Sequence, residues 1–98
     1  MIVYAVITRF IMKPGGAEAV RPILRNQILP ALAQLPHFRH FYAARTGEDI
    51  ATAVTLWDSE EGLEVHLQQF TELATRTAGA HIISMERESG EVMFELGS

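Results

Sequence analysis

The sequence predicts an α+β fold of the ferredoxin-like type, in which an antiparallel sheet carries two helices on one face. Two observations predict it. Four segments rich in β-branched and aromatic residues surround two segments of helical apolar spacing, in the order β-α-β-β-α-β. The chain has 98 residues, which is the size of one domain, residues 1–98. The predicted strands are residues 2–12, 37–45, 50–57 and 81–86, and the predicted helices are residues 17–35 and 59–76.

The first predicted strand is mainly apolar on both of its faces. Side chains alternate between the two faces of a strand, so every second residue shares a face. We therefore expect this strand to be covered on both sides. One face carries Ile2, Tyr4, Val6, Thr8, Phe10 and Met12, and the other carries Val3, Ala5, Ile7, Arg9 and Ile11. Arg9 interrupts the second set, and Glu86 is a candidate partner for its charge.

The first helix is predicted to follow a turn at residues 13–16 and to end before Pro36. Its apolar stripe consists of Val20, Leu24, Ile28, Ala31 and Leu35, at steps of three and four residues. Pro22 is compatible with the first turn of a helix, where backbone N–H groups lack intrahelical partners. Pro30 lies further inside, so it predicts a kink or a break near Gln27.

The second half of the chain carries turn and cap signals. Residues 46–49 predict a tight hairpin turn between the second and third strands. Asp58 is the predicted N-cap of the second helix, with Glu61 completing a capping box, and Gly79 is placed for a C-terminal cap. Residues 88–91 are expected to end the last strand, and residues 92–96 form an apolar tail with strand character.

The sheet face that the helices leave open is predicted to be apolar as well. Whichever face the helices take, the first strand leaves a largely apolar set uncovered. Hydrophobic residues make up 48% of the chain, which is rich for so small a protein. Packing this face against a second copy yields a two-fold homodimer, in which the tail could reach the partner's sheet edge.

Composition argues against several classes of partner. The net charge is −4 and the eight Lys and Arg residues are scattered, so no basic patch for nucleic acid is expected. No apolar run approaches the roughly 20 residues of a membrane span. There is no cysteine for a disulfide, a thiolate nucleophile or a sulfur metal site. The start of the chain lacks the features of a signal peptide, so a cytoplasmic location is expected.

The stretch from Leu35 to Phe70 resembles the antibiotic biosynthesis monooxygenase-like superfamily of dimeric α+β barrels. The resemblance rests on an aromatic-rich second strand, on the junction Thr55-Leu56-Trp57-Asp58-Ser59, and on His66 inside the second helix. The run reads LPHFRHFYAARTGEDIATAVTLWDSEEGLEVHLQQF.

The resemblance implies a monooxygenase that needs neither metal nor flavin. In such enzymes a hydroxylated aromatic compound, such as a quinol or an anthrone, lies between helices and sheet and is deprotonated. Its anion then reduces oxygen directly, while the protein supplies a dry cavity, a base and donors for the anion. In the heme-degrading branch, the catalytic Asn, Trp and His would align near Thr8, His66 and Arg76, so heme degradation is disfavoured.

His66 is the candidate base, because it lies on the apolar stripe of its helix and an imidazole titrates near neutral pH. The alternative is a buried histidine bonded to the backbone. His40 and Tyr42 would join it around one cavity if their strand face meets the helices, and would otherwise meet the partner subunit. The further candidates for binding a small aromatic or apolar ligand are Trp57, Tyr4, Thr8 and Phe70.

Two other functions fit the same pattern. One is a non-catalytic dimeric module that binds a small apolar ligand or only assembles. The other is an isomerase on the same scaffold, which needs a base but no oxygen. A metal site is not expected, because His37 and His40 are an odd number of residues apart on a strand and no metal-binding helix motif accompanies His66.

Overall fold

A computed structural model describes residues 2–96 of the chain. The strands are β1 (Tyr4–Met12), β2 (Phe38–Gly47), β3 (Ile50–Trp57) and β4 (Ile82–Glu91), and the helices are α1 (Gly16–Ile23), α2 (Leu29–Leu32) and α3 (Leu63–Ala78). The strands form one antiparallel sheet in the spatial order β2-β3-β1-β4, and the helices pack on one of its faces. The predicted ferredoxin-like α+β arrangement is confirmed.

The alternating pattern of β1 decides which sheet face meets the helices. Val6 and Thr8 are buried at 1% and 5% exposure, whereas Ile7 is 38% exposed and Arg9 is also exposed. The set that contains Tyr4 and Val6 therefore lies under the helices. The other set lies on what we call the open face, the sheet face away from the helices. Across this face Arg9 is in register with Glu86 of β4, its predicted partner.

The first helical region accommodates its prolines without a break. α1 begins at Gly16, and a π-helical turn, Leu24–Ile28, joins it to α2. Pro30 has no N–H to donate to the carbonyl of residue 26, and its ring crowds that carbonyl. The π-helical turn directly before Pro30 widens the backbone there, and the N–H of Leu29 bonds to the carbonyl of Leu24. The irregularity predicted near Gln27 lies at this turn, and the helical region ends at Leu32 instead of Leu35.

A β-bulge in β2 changes the expected assignment of its side chains to faces. Phe38 is in register with Trp57, but the next paired residue, His40, is in register with Leu56, so Arg39 is the extra residue. Phe38 and Phe41 consequently share the helix-covered face, although simple alternation separates them. His40 and Tyr42 lie on the open face together with Leu56 and Val54.

The start of α3 differs from the predicted cap. The N-cap is Gly62, in the left-handed conformation at φ 68°, and the helix begins at Leu63. The prediction that Asp58 caps this helix was wrong, because its carboxylate accepts a hydrogen bond from Arg39 at 3.2 Å. Gly79 is the C-cap, as predicted, but it continues into a 3₁₀ turn, Gly79–His81, with φ −58°.

The last strand is longer than the sequence indicated. β4 continues through residues 88–91, where a break was predicted, because these residues pair with the first residues of β1. Residues 92–96 do not form a strand. Val92 donates its N–H to the carbonyl of Val3 at 2.8 Å, and beyond it Met93 and Phe94 are 83% and 89% exposed. Among residues 2–96, no helix is long and apolar enough to cross a membrane.

Candidate functional site

The helix–sheet interface is filled at one end by large rings. Trp57, at the end of β3, has no solvent exposure and donates its indole N–H to the hydroxyl of Thr55 at 2.8 Å. Phe38 meets it edge-on with ring centroids 5.6 Å apart, and His66 stacks on it at 5.8 Å and 9°. We call these three residues, Phe38, Trp57 and His66, the Trp57 cluster. Their tight packing leaves this end of the interface closed.

His66 points inward from the first turns of α3, as the apolar stripe predicted. One ring face lies against Trp57, and a Cβ placed on Gly62 would come within 3.2 Å of its Nε2, so the ring is held between strand and backbone. Its Nδ1 is buried and has no hydrogen-bond partner within residues 2–96. A buried polar atom without a hydrogen-bond partner lowers the free energy of unfolding by about 1–3 kcal/mol. It therefore calls for a functional explanation or a bound molecule.

Tyr4 lies beside Trp57, its register partner across β1 and β3. Partial burial raises the pKa of the Tyr4 phenol above its ordinary value of 10.0. The carboxylates of Glu60 and Glu91 raise this pKa further, and so does the hydrogen bond between the phenol and Glu60. The phenol is therefore neutral at physiological pH and is available as a hydrogen-bond donor.

The other end of the helix–sheet interface contains a cavity of about 310 Å³. We call it the hairpin-end cavity, because it lies toward the β2–β3 hairpin. Phe70 and Ala74 of α3 form one wall, Leu24 and Ile28 of the π-helical turn form another, and Phe41 of β2 contributes to the sheet side. Of the residues that line it within 2–96, Arg21 and Arg45 alone carry charge.

Small side chains create this cavity. Ala43 of β2 is directly paired with Ala53 of β3. Ala51 lies two residues before Ala53 and so shares its sheet face. Ala74 and Ala78 of α3 line the cavity opposite them. At the other end of the interface, the large rings of Trp57 and Phe38 fill the space between helices and sheet. Alanine methyl groups on both sides are too small to do so here, and a cavity remains.

The β2–β3 hairpin forms hydrogen bonds with the start of α1 beside the cavity. The carboxylate of Asp49 accepts hydrogen bonds from the N–H groups of Gly15 and Ala17 at 3.3 and 3.2 Å, and so caps the helix from another element. Arg45 donates to the carboxylate of Glu18 at 3.0 Å. These contacts fix the hairpin against the helix at the cavity rim.

The structure divides the predicted site residues among three places. His66, Trp57 and Tyr4 come together at the closed end, and Phe70 lines the cavity. Thr8 is buried under the helices and is not among the lining residues. The geometric expectation that His40 and Tyr42 would share a cavity with His66 if the Phe38 face meets the helices was wrong. The bulge turns both to the open face, where Tyr42 is 61% exposed.

The family resemblance implied a cavity between helices and sheet, but sequence reasoning placed it around His66 and missed the alanines and the two arginines that line the observed cavity. The available signal was the group of alanines at facing positions of strands and helix, which predicts a gap at that level of the core. Arg45 offered a second signal. It shares a strand face with Ala43, so its charged side chain has to reach solvent from the helix-covered face, which indicates an opening there. Within residues 2–96, no group of three or more histidine or carboxylate side chains is placed to hold a metal ion.

Comparison with known proteins adds a family and a set of similar folds. A family model described as antibiotic biosynthesis monooxygenase matches residues 3–71. The chain is similar to the NE2512 protein of unknown function from Nitrosomonas europaea, with 22% identity, a TM-score of 0.82, and coverage of 100% of this chain and 97% of that one. It is also similar to SnoaB, a cofactor-independent oxygenase from Streptomyces nogalater, in a mutant form, with 17% identity, a TM-score of 0.76 and 98% coverage of both chains.

A third similar structure is Rv0793 from Mycobacterium tuberculosis, with 17% identity, a TM-score of 0.74, and coverage of 97% of this chain and 99% of that one. At these identities the solved structures establish the fold alone. No protein of curated function matches the chain.

Proposed function

Because the chain belongs to the antibiotic biosynthesis monooxygenase family, we propose that it is a cofactor-independent monooxygenase for a small quinol- or anthrone-like aromatic compound. The observation that carries the proposal is the hairpin-end cavity, an apolar chamber between helices and sheet with wall residues such as Phe41 and Phe70. Oxygenation through a substrate anion requires such a chamber, since water would quench reactive intermediates.

The reaction is balanced without a cofactor. A base removes a proton from the ring system, and the resulting anion transfers one electron to O₂. The two radicals combine to a peroxide at the same carbon. When that carbon is the methylene group of an anthrone, loss of water from the peroxide leaves a ketone. One oxygen atom becomes the carbonyl oxygen, and the other leaves as water with the two hydrogens.

We propose His66 as the base. Its Nδ1 is buried without a partner, so this nitrogen has no competing hydrogen bond among residues 2–96. It lies one helical turn before Phe70, which forms the cavity wall, and residues four apart share a helix face. His66 does not itself line the cavity, so proton transfer from a substrate there requires the closed packing of the Trp57 cluster to open toward Phe70. General-base catalysis of this kind contributes about 100-fold or more to the rate.

Oxygen uptake by the metal-free protein with a panel of quinols and anthrones tests the proposal. We expect uptake to fall roughly 100-fold in His66→Gln, which removes the base and keeps a polar side chain of similar reach. His81→Gln is the matched control, since His81 is half-buried in the 3₁₀ turn, outside the cavity. Ala53→Leu places a larger side chain in the cavity and should abolish uptake while the fold is kept.

The outcomes separate the parts of the proposal. Uptake that survives in His66→Gln but not in Ala53→Leu would keep the oxygenase and reject His66 as its base. No uptake above the uncatalysed rate across the panel would reject the oxygenase. Binding of panel compounds without uptake would then favour a non-catalytic ligand-binding module.

We further propose that the protein works as a homodimer through the open face. This face presents Ile7 and Tyr42 at 38% and 61% exposure, with half-buried Val54 and Leu56 between them on β3. The exposed apolar tail, residues 92–96, adds Met93 and Phe94 to the uncovered surface. Apolar area of this extent on one side of a small domain is typical of an interface between subunits.

A further inference from the structure

The hairpin-end cavity has its charge at one end only. Its walls are alanines, branched aliphatic side chains and phenylalanines, and its two charged lining residues are Arg21 and Arg45. Their side chains are 59% and 42% exposed, so the guanidinium groups lie where the cavity meets solvent. A molecule inside would thus have an apolar environment around its body and two cations near its outer end.

The charges at this end nearly balance, because the two arginines lie near two carboxylates, Glu18 and Asp49. Glu18 pairs with both arginines, at 3.0 Å to Arg45 and 3.5 Å to Arg21, so one carboxylate serves two guanidinium groups. Asp49 is also near, but its oxygens accept hydrogen bonds from the N–H groups at the start of α1. What a ligand would meet at this end is therefore the guanidinium N–H donors that Glu18 does not occupy.

The two arginines differ in how firmly they are held. Arg45 donates through Nε to the carbonyls of Gly47 and Glu48, and through Nη2 to the carbonyl of Glu48, so the hairpin fixes its guanidinium plane. Arg21 has Glu18 as its one ion-pair partner within residues 2–96. A guanidinium has five N–H donors, and most of those of Arg21 are therefore open to a ligand.

The size of the cavity limits the ring system. A cavity of roughly 150 Å³ lined by apolar side chains is known to admit benzene. The volume here is about 310 Å³, and the aromatic wall residues Phe41 and Phe70 suit a flat ligand. One or two fused rings therefore fit, whereas the three fused rings of an anthrone would require the walls to move, so the volume favours the quinol-like members of the proposed substrate class.

We propose that the ligand of this cavity is a one- or two-ring aromatic acid with a single ionised group. Its rings occupy the apolar chamber, and its carboxylate or comparable anion binds Arg21 and Arg45. The inference rests on the proposed function for the identity of the chamber as the substrate site. It adds the anchoring charge, which holds the substrate so that its other end points inward.

Equilibrium binding tests the anchor separately from turnover. The probes are 2-naphthoate and its neutral analogue naphthalene-2-carboxamide, measured by isothermal titration calorimetry with the full chain. Charge-assisted hydrogen bonds to the arginines should make naphthoate bind at least roughly tenfold more tightly than the amide. This preference should shrink toward unity in Arg21→Gln and grow in Glu18→Gln, which removes the competing carboxylate.

Arg25→Gln is the matched control, because Arg25 is an exposed arginine of the same helical region and does not line the cavity. It should leave the preference unchanged. Equal affinities for the two probes in the wild type would overturn the proposal, and so would an unchanged preference in both Arg21→Gln and Glu18→Gln. Selective binding of naphthoate, together with no oxygen uptake across the quinol and anthrone panel, would support the anchor and reject the oxygenase. Uptake with neutral quinols without any anion preference would do the reverse.

Discussion

Tyr4 shows at the scale of one residue how its neighbours set a protonation state. Its pKa is raised by partial burial first, and then by the carboxylates of Glu60 and Glu91 and the hydrogen bond to Glu60. A phenol whose pKa is higher in the folded protein stabilises the fold below its ordinary value of 10.0. That contribution is lost as the pH rises through the folded pKa.

We expect Glu60→Gln to lower the pKa of Tyr4, since the change removes one of the charges that raise it. Ultraviolet titration of tyrosinate measures this directly, in a Tyr42→Phe background that leaves Tyr4 as the one tyrosine of the chain. Glu64→Gln, a change in an exposed glutamate in the first turn of α3, is the control. A Tyr4 pKa that stays the same after Glu60→Gln would show that Glu60 does not raise it, and would leave burial and Glu91 as the causes.

The residues of β2 show which side-chain directions could not be predicted from the sequence. The inward direction of His66 could be predicted from its helical stripe, because a helix without insertions keeps its period. In β2, alternation assigned His40 and Tyr42 to the face of Phe38, and the bulge at Arg39 reversed that assignment. The spacing Phe38-x-x-Phe41 held the signal, since two core aromatics three residues apart share a strand face only across a bulge.

At the scale of elements, the β2–β3 hairpin determines how α1 begins. The carboxylate of Asp49 bonds to the N–H groups of Gly15 and Ala17, which lack intrahelical partners. We expect Asp49→Ala to lower the free energy of unfolding by about 0.5–2 kcal/mol, the usual cost of removing a cap. Urea denaturation monitored by circular dichroism measures it.

Glu48→Ala is the control for this cap, because within residues 2–96 Glu48 contributes its backbone carbonyl, and not its side chain, to the hydrogen bonds of the hairpin. It removes a neighbouring carboxylate and should change stability by less than about 0.5 kcal/mol. Equal losses in the two variants would mean that the general negative charge of the turn matters and the cap does not.

The predicted boundaries of elements were wrong where a side chain has a partner far away in the sequence. Asp58 and Glu61 form a local capping pattern, and the pattern alone predicts a helix from residue 59. The long-range pair between Asp58 and Arg39 competes for that carboxylate, and the helix starts at Leu63 after Gly62. Pro30 shows the opposite case, since its effect is confined to the preceding turn and could be predicted near Gln27.

At the scale of the whole molecule, the fold was predictable and the lining of the cavity was not. Element order and periodicity are properties of the chain and survive small errors at element ends. A cavity is a property of the space between elements, and it depends on which side chains meet. Here Ala43 and Ala53 face Ala74 and Ala78 across the cavity, so the small residues that signal a gap lie on three elements and no single local pattern contains them.

The proposed dimer can be tested by a substitution on the open face. That face contributes nothing to the core under the helices, so a change there should affect assembly and not the fold of the subunit. Val54 lies on the open face of β3, an interior strand of the sheet. We expect Val54→Asp to give a monomer in light scattering at micromolar concentration, because burying an unpaired carboxylate between two sheets is strongly unfavourable. Gln68→Asp, on an exposed position of α3, adds the same charge and should stay dimeric. A dimeric Val54→Asp would move the interface away from the open face, whereas a monomeric wild type would reject the dimer and leave Ile7 and Tyr42 as exposed surface.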